Sequence, residues 1–251
     1  MQNCYYPLPA QLTLPVPDDD APMQRLDKSR GSSDEMRRPF MQLETVSGAA
    51  GSAYVELGRT RVVCAVYGPR TDTRPRREFS KDGQLVCDVK YAPFADKLTR
   101  RERGQDPDEM ELSSIVEEAL APAVMLHKLP KCILSVFVTV LEDDGGVFAA
   151  VINCASLALA DAAVEMYDVV TAASAGIVNG SVVLDPSREE EQRGDGNLSL
   201  AYMPSMGRVT YMLQAGKIHH TQLQEAVDLC TDACTGVTRS LLTASLVQAL
   251  K

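Results

Sequence analysis

The sequence predicts a mixed α/β domain made of two similar lobes, and three observations lead there. First, short strand-like segments separated by turns occur in both halves and are followed each time by helical patterns. Second, the middle of the chain runs from an apolar strand through Glu142-Asp143-Asp144-Gly145-Gly146 into an almost wholly apolar helix, an arrangement that has to be buried. Third, Ala, Val and Leu dominate the apolar residues, with 5% aromatics and no Trp. Small aliphatic side chains suit helix-on-sheet packing better than a sandwich core. The 251 residues fit one large domain or two small lobes, and suffice for a sizeable core.

Residues 1–35 read as an N-terminal extension, partly disordered or bound to a partner, ahead of a domain over 36–251. Five prolines, the triplet Asp18-Asp19-Asp20 and the absence of an apolar period support this. Ser52–Leu57 and Arg61–Tyr67 flank Gly58-Arg59-Thr60 as a hairpin. A charged loop over Arg70–Asp82 leads to a strand at Gln84–Lys90. Asp108–His127 has a helical stripe of Leu112, Ile115, Val116, Ala119 and Ala123, and Pro130 ends that unit. The buried strand is Ile133–Leu141 and the buried helix Val147–Val164. Strands at Val169–Val178, Ser181–Asp185, Leu198–Met203 and Val209–Gln214 follow, and Thr221 to Leu250 forms a last helix.

A net charge of −9 and a pI near 4.9 argue against a free-standing nucleic-acid binder, whose footprint is a basic face. Seven cysteines at irregular spacings, mostly inside apolar runs such as Val62–Val66, read as small buried hydrophobes in a reducing compartment. Cys230 and Cys234 stand four apart, but no Cys or His lies at finger-like spacing from them, so no metal is expected. No stretch of about 18 apolar residues occurs, and a soluble, intracellular protein without a membrane role is expected.

Four features bear on chemistry. The Gly145–Gly146 turn fits either a phosphate cradle at a helix N-terminus or a plain strand-to-helix turn; it lacks nucleotide-loop spacing. The acids Glu189, Glu190, Glu191 and Asp195 fit a Mg²⁺ or general-base site or, better, a solvated loop. Asp161, inside the apolar helix, needs a hydrogen-bond partner if buried. Arg70, Arg74, Arg76 and Arg77, with Lys97, Arg100, Arg101 and Arg103, put eight of the 25 cations into two loops suited to a phosphate backbone. The three histidines form no recognisable triad.

Seven segments stand in the order seen in the RNase PH family, over about Met41–Leu250. They are Gly51–Glu56, Thr60–Arg70, Tyr91-Ala92-Pro93-Phe94, Glu111-Leu112-Ser113, Glu142–Gly146, Ala155–Ala162 and Ala201-Tyr202-Met203-Pro204-Ser205. Among family members, Leu85–Asp88 and Val164–Val170 look most like the mRNA transport regulator three type of exosome ring subunit. The resemblance implies an RNase PH-like α/β fold: two βαβα-type lobes, mixed sheets with packed helices, similar to S5 domain 2. It also implies a heterohexameric ring of RNase PH-like subunits around an RNA channel, with S1/KH cap subunits and hydrolytic exoribonucleases attached. Residence in nucleus, nucleolus and cytoplasm follows from the resemblance alone. So does a placement of Arg70, Arg74, Arg76, Arg77, Arg100, Arg101 and Arg103 on the RNA path.

Active members of that family cleave RNA from its 3′ end with inorganic phosphate. They use arginines, a hydroxyl-bearing Gly-Gly turn and an aspartate as general acid. Here Pro107 and Asp108 stand where an arginine pair precedes the Glu-x-Glu-Leu-Ser helix, Val147 and Phe148 follow the glycines, and Asn197 holds the acid's place. Asp195 is the one nearby residue able to replace that acid. Losing bidentate arginines and a titrating group, the latter worth about 10²–10⁴-fold, predicts a non-catalytic structural subunit with no cofactor. The alternatives are a phosphorolytic subunit completed by a ring neighbour, and a free-standing homohexameric enzyme.

Overall fold

The computed structural model describes Arg30 and residues 32–71, 82–96 and 107–249. Strands β1 (Pro39–Leu43), β2 (Gly51–Leu57), β3 (Thr60–Thr71), β4 (Gln84–Tyr91) and β5 (Cys132–Glu142) make a sheet in the order β1-β2-β3-β5-β4. All pairs are antiparallel except β4 with β5. The parallel pair requires a crossover, which α1 (Pro107–Leu120) provides. Next come α2 (Val147–Asp161), β6 (Thr171–Val178), β7 (Ser181–Leu184), α3 (Arg188–Arg193), β8 (Gly196–Met203) and β9 (Arg208–Gly216). These four strands form an antiparallel sheet, β7-β6-β8-β9. α4 (His220–Ala233) continues through a wide turn at Cys234–Thr238 into α5 (Arg239–Ala249).

α2 sits between the lobes because it is apolar all round. Phe148 to Leu159 are buried without a break. The helix packs on β2 and β3 of the first sheet and on β6 of the second. A helix with no polar face is stable only when covered on every side. On the second sheet, alternation decides the layers. Ala173, Ala175, Leu198 and Leu200 turn toward Ala226 and Cys230 of α4, while Ala172 and Ala201 join the core around α2.

The predicted strands all form; the differences lie at ends, in short pieces and in β5, which is expected to be buried throughout but alternates and turns Phe137 and Thr139 outward. α1 stops at Leu120, earlier than the expected His127, because Pro122 cannot donate into the helix and disfavours helical backbone at Ala121. α2 ends at Asp161, where Ala163 turns left-handed at φ 53°. The Asp161 carboxylate finds the partner it needs in the Ser52 N–H, at 2.8 Å. β1 escapes a pattern-based reading because it is a five-residue edge strand opening on a proline.

Gly51 shows how closely α2 approaches β2. A Cβ there would land on Ala162 N and stand 2.5 Å from Ala158 O, both backbone atoms that cannot swing aside. Gly51→Ala is therefore expected to cost about 1–3 kcal/mol by overpacking. A urea-unfolding midpoint unchanged from the parent would contradict this.

The last residues of the expected N-terminal extension are seated in the fold. Leu184 N–H donates to Ser33 O at 2.9 Å, and Arg30 is buried against β7's end.

Candidate functional site

β5 ends at Glu142, and the next four residues turn the chain into α2. Gly145 and Gly146 both adopt positive φ, 87° and 65°, a region that favours glycine. The turn is held from below by Thr60, whose hydroxyl donates to Gly145 O at 2.7 Å and accepts from Asp144 N–H at 3.1 Å. Gly145 N–H donates to Asp143 Oδ1 at 3.1 Å. Arg37 closes the turn from the N-terminal side, donating to the carbonyls of Asp144 and Gly145, each at 3.1 Å.

Arg37 also binds Asp185, which follows β7. Arg37 Nε donates to Asp185 Oδ2 at 2.8 Å and Nη2 to Oδ1 at 2.6 Å, a bidentate pair in which both side chains are buried. Burial alone would lower the guanidinium's pKa. The Asp185 hydrogen bond and charge, with Asp144 and Glu191 behind them, more than offset this and hold it above the ordinary value. Arg30 joins from the other side, donating to Asp185 O at 2.7 Å, with Glu190 Oε2 3.6 Å from its Nη2.

α3 folds over this cluster. Ser187 and Glu190 form its capping box, with Ser187 N–H donating to Glu190 Oε2 at 2.9 Å. Arg188 binds Asp143 at 2.6 Å and Asp96 at 2.7 Å through its two terminal nitrogens, and its backbone N–H donates to Asp144 O at 3.1 Å. Glu191 reaches the start of α2 itself, accepting from Gly146 N–H at 2.9 Å. Burial pushes the Glu191 carboxyl above its usual range; the Gly146 N–H and Arg37 pull it down, while Asp143 and Asp185 raise it further. Of the four acids expected in a solvated loop, two are thus built in, with Glu190 buried and Glu191 half-buried, while Glu189 and Asp195 are exposed. The capping-box spacing Ser187-x-x-Glu190 was the signal for the short helix.

Among the described residues, Ser174 Oγ and Asn197 Oδ1 are buried without a hydrogen-bond partner. Both lie on the face of the second sheet turned toward α2. Asn197 pairs in register with Gly176, two residues along β6 from Ser174 on the same face. Ser174 Oγ stands 3.4 Å from where a Cβ on Gly146 would lie, so its hydroxyl borders the turn.

The other sequence-derived positions are dispersed. Pro107 and Asp108 open α1. Val147 and Phe148 form the first turn of α2, and Phe148 is buried against Tyr211 of β9, ring centroids 6.2 Å apart. Asp195 is exposed in the approach to β8. Arg70, the penultimate residue of β3, has its guanidinium carbon 5.4 Å from the Tyr67 ring centroid. Tyr67 in turn meets Phe137 edge-on at 5.8 Å. Arg74, Arg76, Arg77, Lys97, Arg100, Arg101 and Arg103 lie outside the described residues. Among the described residues, no three His, Cys, Asp or Glu side chains are grouped to hold a metal. Cys230 and Cys234 are buried thiols; burial pushes Cys234 up to about 12, and Cys230 upward also.

Two layered lobes sharing one buried helix, with an arginine–carboxylate cluster at that helix's start, define a class, and comparison with known proteins gives it a name. Residues 35–165 match domain 1 of the 3′ exoribonuclease family (RNase PH), and residues 168–233 match its domain 2. The chain belongs to the RNase PH family. An exosome complex component RRP41-like protein of Arabidopsis thaliana is 38% identical over 221 residues, covering 88% of this chain and 84% of the relative. Exosome complex component Rrp41 of Pyrobaculum neutrophilum is 41% identical over 198 residues, covering 78% of this chain and 80% of the relative. Rice Rrp46 has the same fold, with TM-score 0.76 over 87% of this chain and 99% of that one at 20% identity. A chain of the Archaeoglobus fulgidus exosome with RNA bound to the active site gives TM-score 0.73 and 25% identity, over 90% of this chain and 93% of that one.

These findings correct one expectation. The departures at Pro107, Asp108, Val147, Phe148 and Asn197 predicted a subunit that is not an enzyme. Both domains matched are those of a 3′ exoribonuclease family, and the relatives at 38% and 41% identity carry the Rrp41 name, which overturns that reading. The inference rested on five positions of one chain, whereas the match to the family runs through both of its domains.

Proposed function

We propose that this chain is a phosphorolytic 3′-to-5′ exoribonuclease subunit of an exosome-type ring, completed by a neighbouring RNase PH-like subunit. The observation that carries the reading is the Gly145–Gly146 turn, where the amide of Gly146, the residue capping α2, holds an anionic oxygen, that of Glu191, at 2.9 Å. First-turn amides have no acceptor within their own helix and lie at its positive end, which suits a phosphate oxygen equally well. In phosphorolysis, a phosphate oxygen attacks the phosphorus joining the last two nucleotides. The P–O bond to the preceding 3′ oxygen breaks, a proton returns to that oxygen, and a nucleoside diphosphate leaves. This chain supplies the amide cradle and its rigid mounting. The arginines, the hydroxyl and the acid that its own positions 107, 108, 147, 148 and 197 do not supply come from the neighbour.

The same proposal includes S1/KH caps, associated hydrolytic exoribonucleases, and residence in nucleus, nucleolus and cytoplasm. It also places RNA along Arg70, Arg74, Arg76, Arg77, Arg100, Arg101 and Arg103, by neutralising phosphates.

The test is phosphate-dependent shortening of a 3′-tailed RNA by the chain alone and within the co-purified ring. The expected result is no shortening alone, and in the ring a release of nucleoside diphosphates that stops when phosphate is withheld. Charge reversal at Arg70, Arg74 and Arg76 is expected to weaken RNA binding and flatten its salt dependence. A ring whose shortening neither needs phosphate nor changes when this chain's Gly146 is substituted would overturn the reading.

A further inference from the structure

If the phosphorolytic reading, on which this step rests, is right, the phosphate cradle is already filled. Gly146 caps α2 with no side-chain hydrogen bond of its own, and the acceptor it uses is delivered from 45 residues away by Glu191. That acceptor is held by a strap, since α3 is tied to the turn through Arg188 to Asp143 and Asp96 and through the Arg188 N–H to Asp144 O. Beside it stands a donor that the carboxylate does not use. Ser174 is only 5% exposed, and among the described residues its Oγ has no partner although it borders Gly146. Arg37 Nη2 lies 3.0 Å from the same Cβ position. A planar carboxylate with one oxygen on Gly146 leaves the serine unsatisfied, whereas a tetrahedral oxyanion has further oxygens to offer it.

We propose that Glu191 is a built-in occupant of this cradle, so that inorganic phosphate enters only when α3 carries Glu191 away from Gly146, and Ser174 then donates to the entering anion. The strap suits a removable occupant. The Glu191 carboxylate is held against burial and against Asp143 and Asp185, which raise its pKa, so its seat is less favourable than an ordinary helix cap. Removing it also removes one negative charge from a neighbourhood where the four carboxylates of Asp96, Asp143, Asp185 and Glu190 already outnumber the three guanidinium groups of Arg30, Arg37 and Arg188.

The experiment is a titration of inorganic phosphate into the full-length chain, followed by ³¹P NMR, comparing parent, Glu191→Ala and the double variant Glu191→Ala with Ser174→Ala. Glu191→Ala is expected to bind phosphate about tenfold more tightly than the parent, the scale of one charge-assisted contact, and the added Ser174→Ala to remove most of that gain. A folded Glu191→Ala that binds phosphate no more tightly overturns the proposal. Should that variant not fold, Glu191→Gln keeps an acceptor for Gly146 without the charge; it is expected to show a smaller gain, and no gain overturns the proposal equally. RNA is absent from this titration, so the two readings separate. A ring that shortens RNA while Glu191→Ala leaves phosphate affinity unchanged sinks the plug alone. A gain in phosphate affinity within a ring whose shortening is independent of this chain sinks the phosphorolytic reading alone.

Discussion

Asp185→Asn is expected to destabilise the protein by about 3–5 kcal/mol, the range for removing one partner of a buried charge pair. The carboxylate takes two hydrogen bonds from the Arg37 side chain and a third from its backbone N–H at 3.0 Å, and it sits 3.5 Å from Arg30 Nη1. All three side chains are buried, so losing the negative charge strands the Arg37 guanidinium away from water and leaves Arg30 to Glu190 and the residue-185 carbonyl. Asparagine is the informative replacement because Asp185 has a left-handed backbone, φ 53°, and asparagine tolerates that region almost as well as aspartate. Any loss then reports on charge rather than on backbone strain. The consequences reach the site, because Arg37 spends its other donors on Asp144 O and Gly145 O. Urea unfolding monitored by circular dichroism gives the measurement, and a loss under about 1 kcal/mol would show that the cluster is solvated in a way its burial denies.

How far the sequence foretells this cluster is instructive. The strands and the buried helix are legible because their apolar periods are long: β5 and α2 are both rich in apolar residues on either side of one Gly-Gly turn. The turn itself is legible as a possible anion cradle for the same reason. What surrounds it is not. Arg30 and Arg37 lie at the junction of a polar, proline-rich stretch with the fold, and nothing local distinguishes them from solvated charges. Asp185, Glu190 and Glu191 come about 150 residues later. Their pairing depends on β7 delivering Asp185 beside Ser174, whose carbonyl accepts the Asp185 N–H at 2.7 Å. An acidic run reads as solvated from composition, yet two of its three glutamates turn inward, because a six-residue capped helix is too short to show a period. Asn197 was picked out by family position for the acid it lacks. The structure adds that its oxygen is buried, without a partner among the described residues, on the face shared with Ser174.

Asn153→Leu is expected to cost about 2–5 kcal/mol, because it uncovers two buried backbone groups at once. β7 pairs with β6 only over Ala175–Val178, so further back along the strand β6 is bonded on one side by β8 and lacks a strand on the other. Asn153 takes the missing strand's place: its Nδ2 donates to Ala172 O at 3.0 Å and its Oδ1 accepts from Ala172 N–H at 2.8 Å. One turn further along α2, Ser156 Oγ accepts from Val170 N–H at 3.0 Å, continuing the substitution. Leucine matches asparagine in bulk closely enough that no large cavity forms, so the loss measures unmade hydrogen bonds rather than packing. Ser156→Ala removes one acceptor and is expected to lose about 1–3 kcal/mol, less than Asn153→Leu. The effect bears on the site because α2 belongs to both lobes: its N-terminal amide comes from the first, while Glu191 and Ser174 beside it come from the second. Loosening Asn153 lets those halves part, so Asn153→Leu is expected to raise hydrogen exchange at Gly146 and along β6 together, and protection lost at β6 alone would mean that the lobes are joined elsewhere.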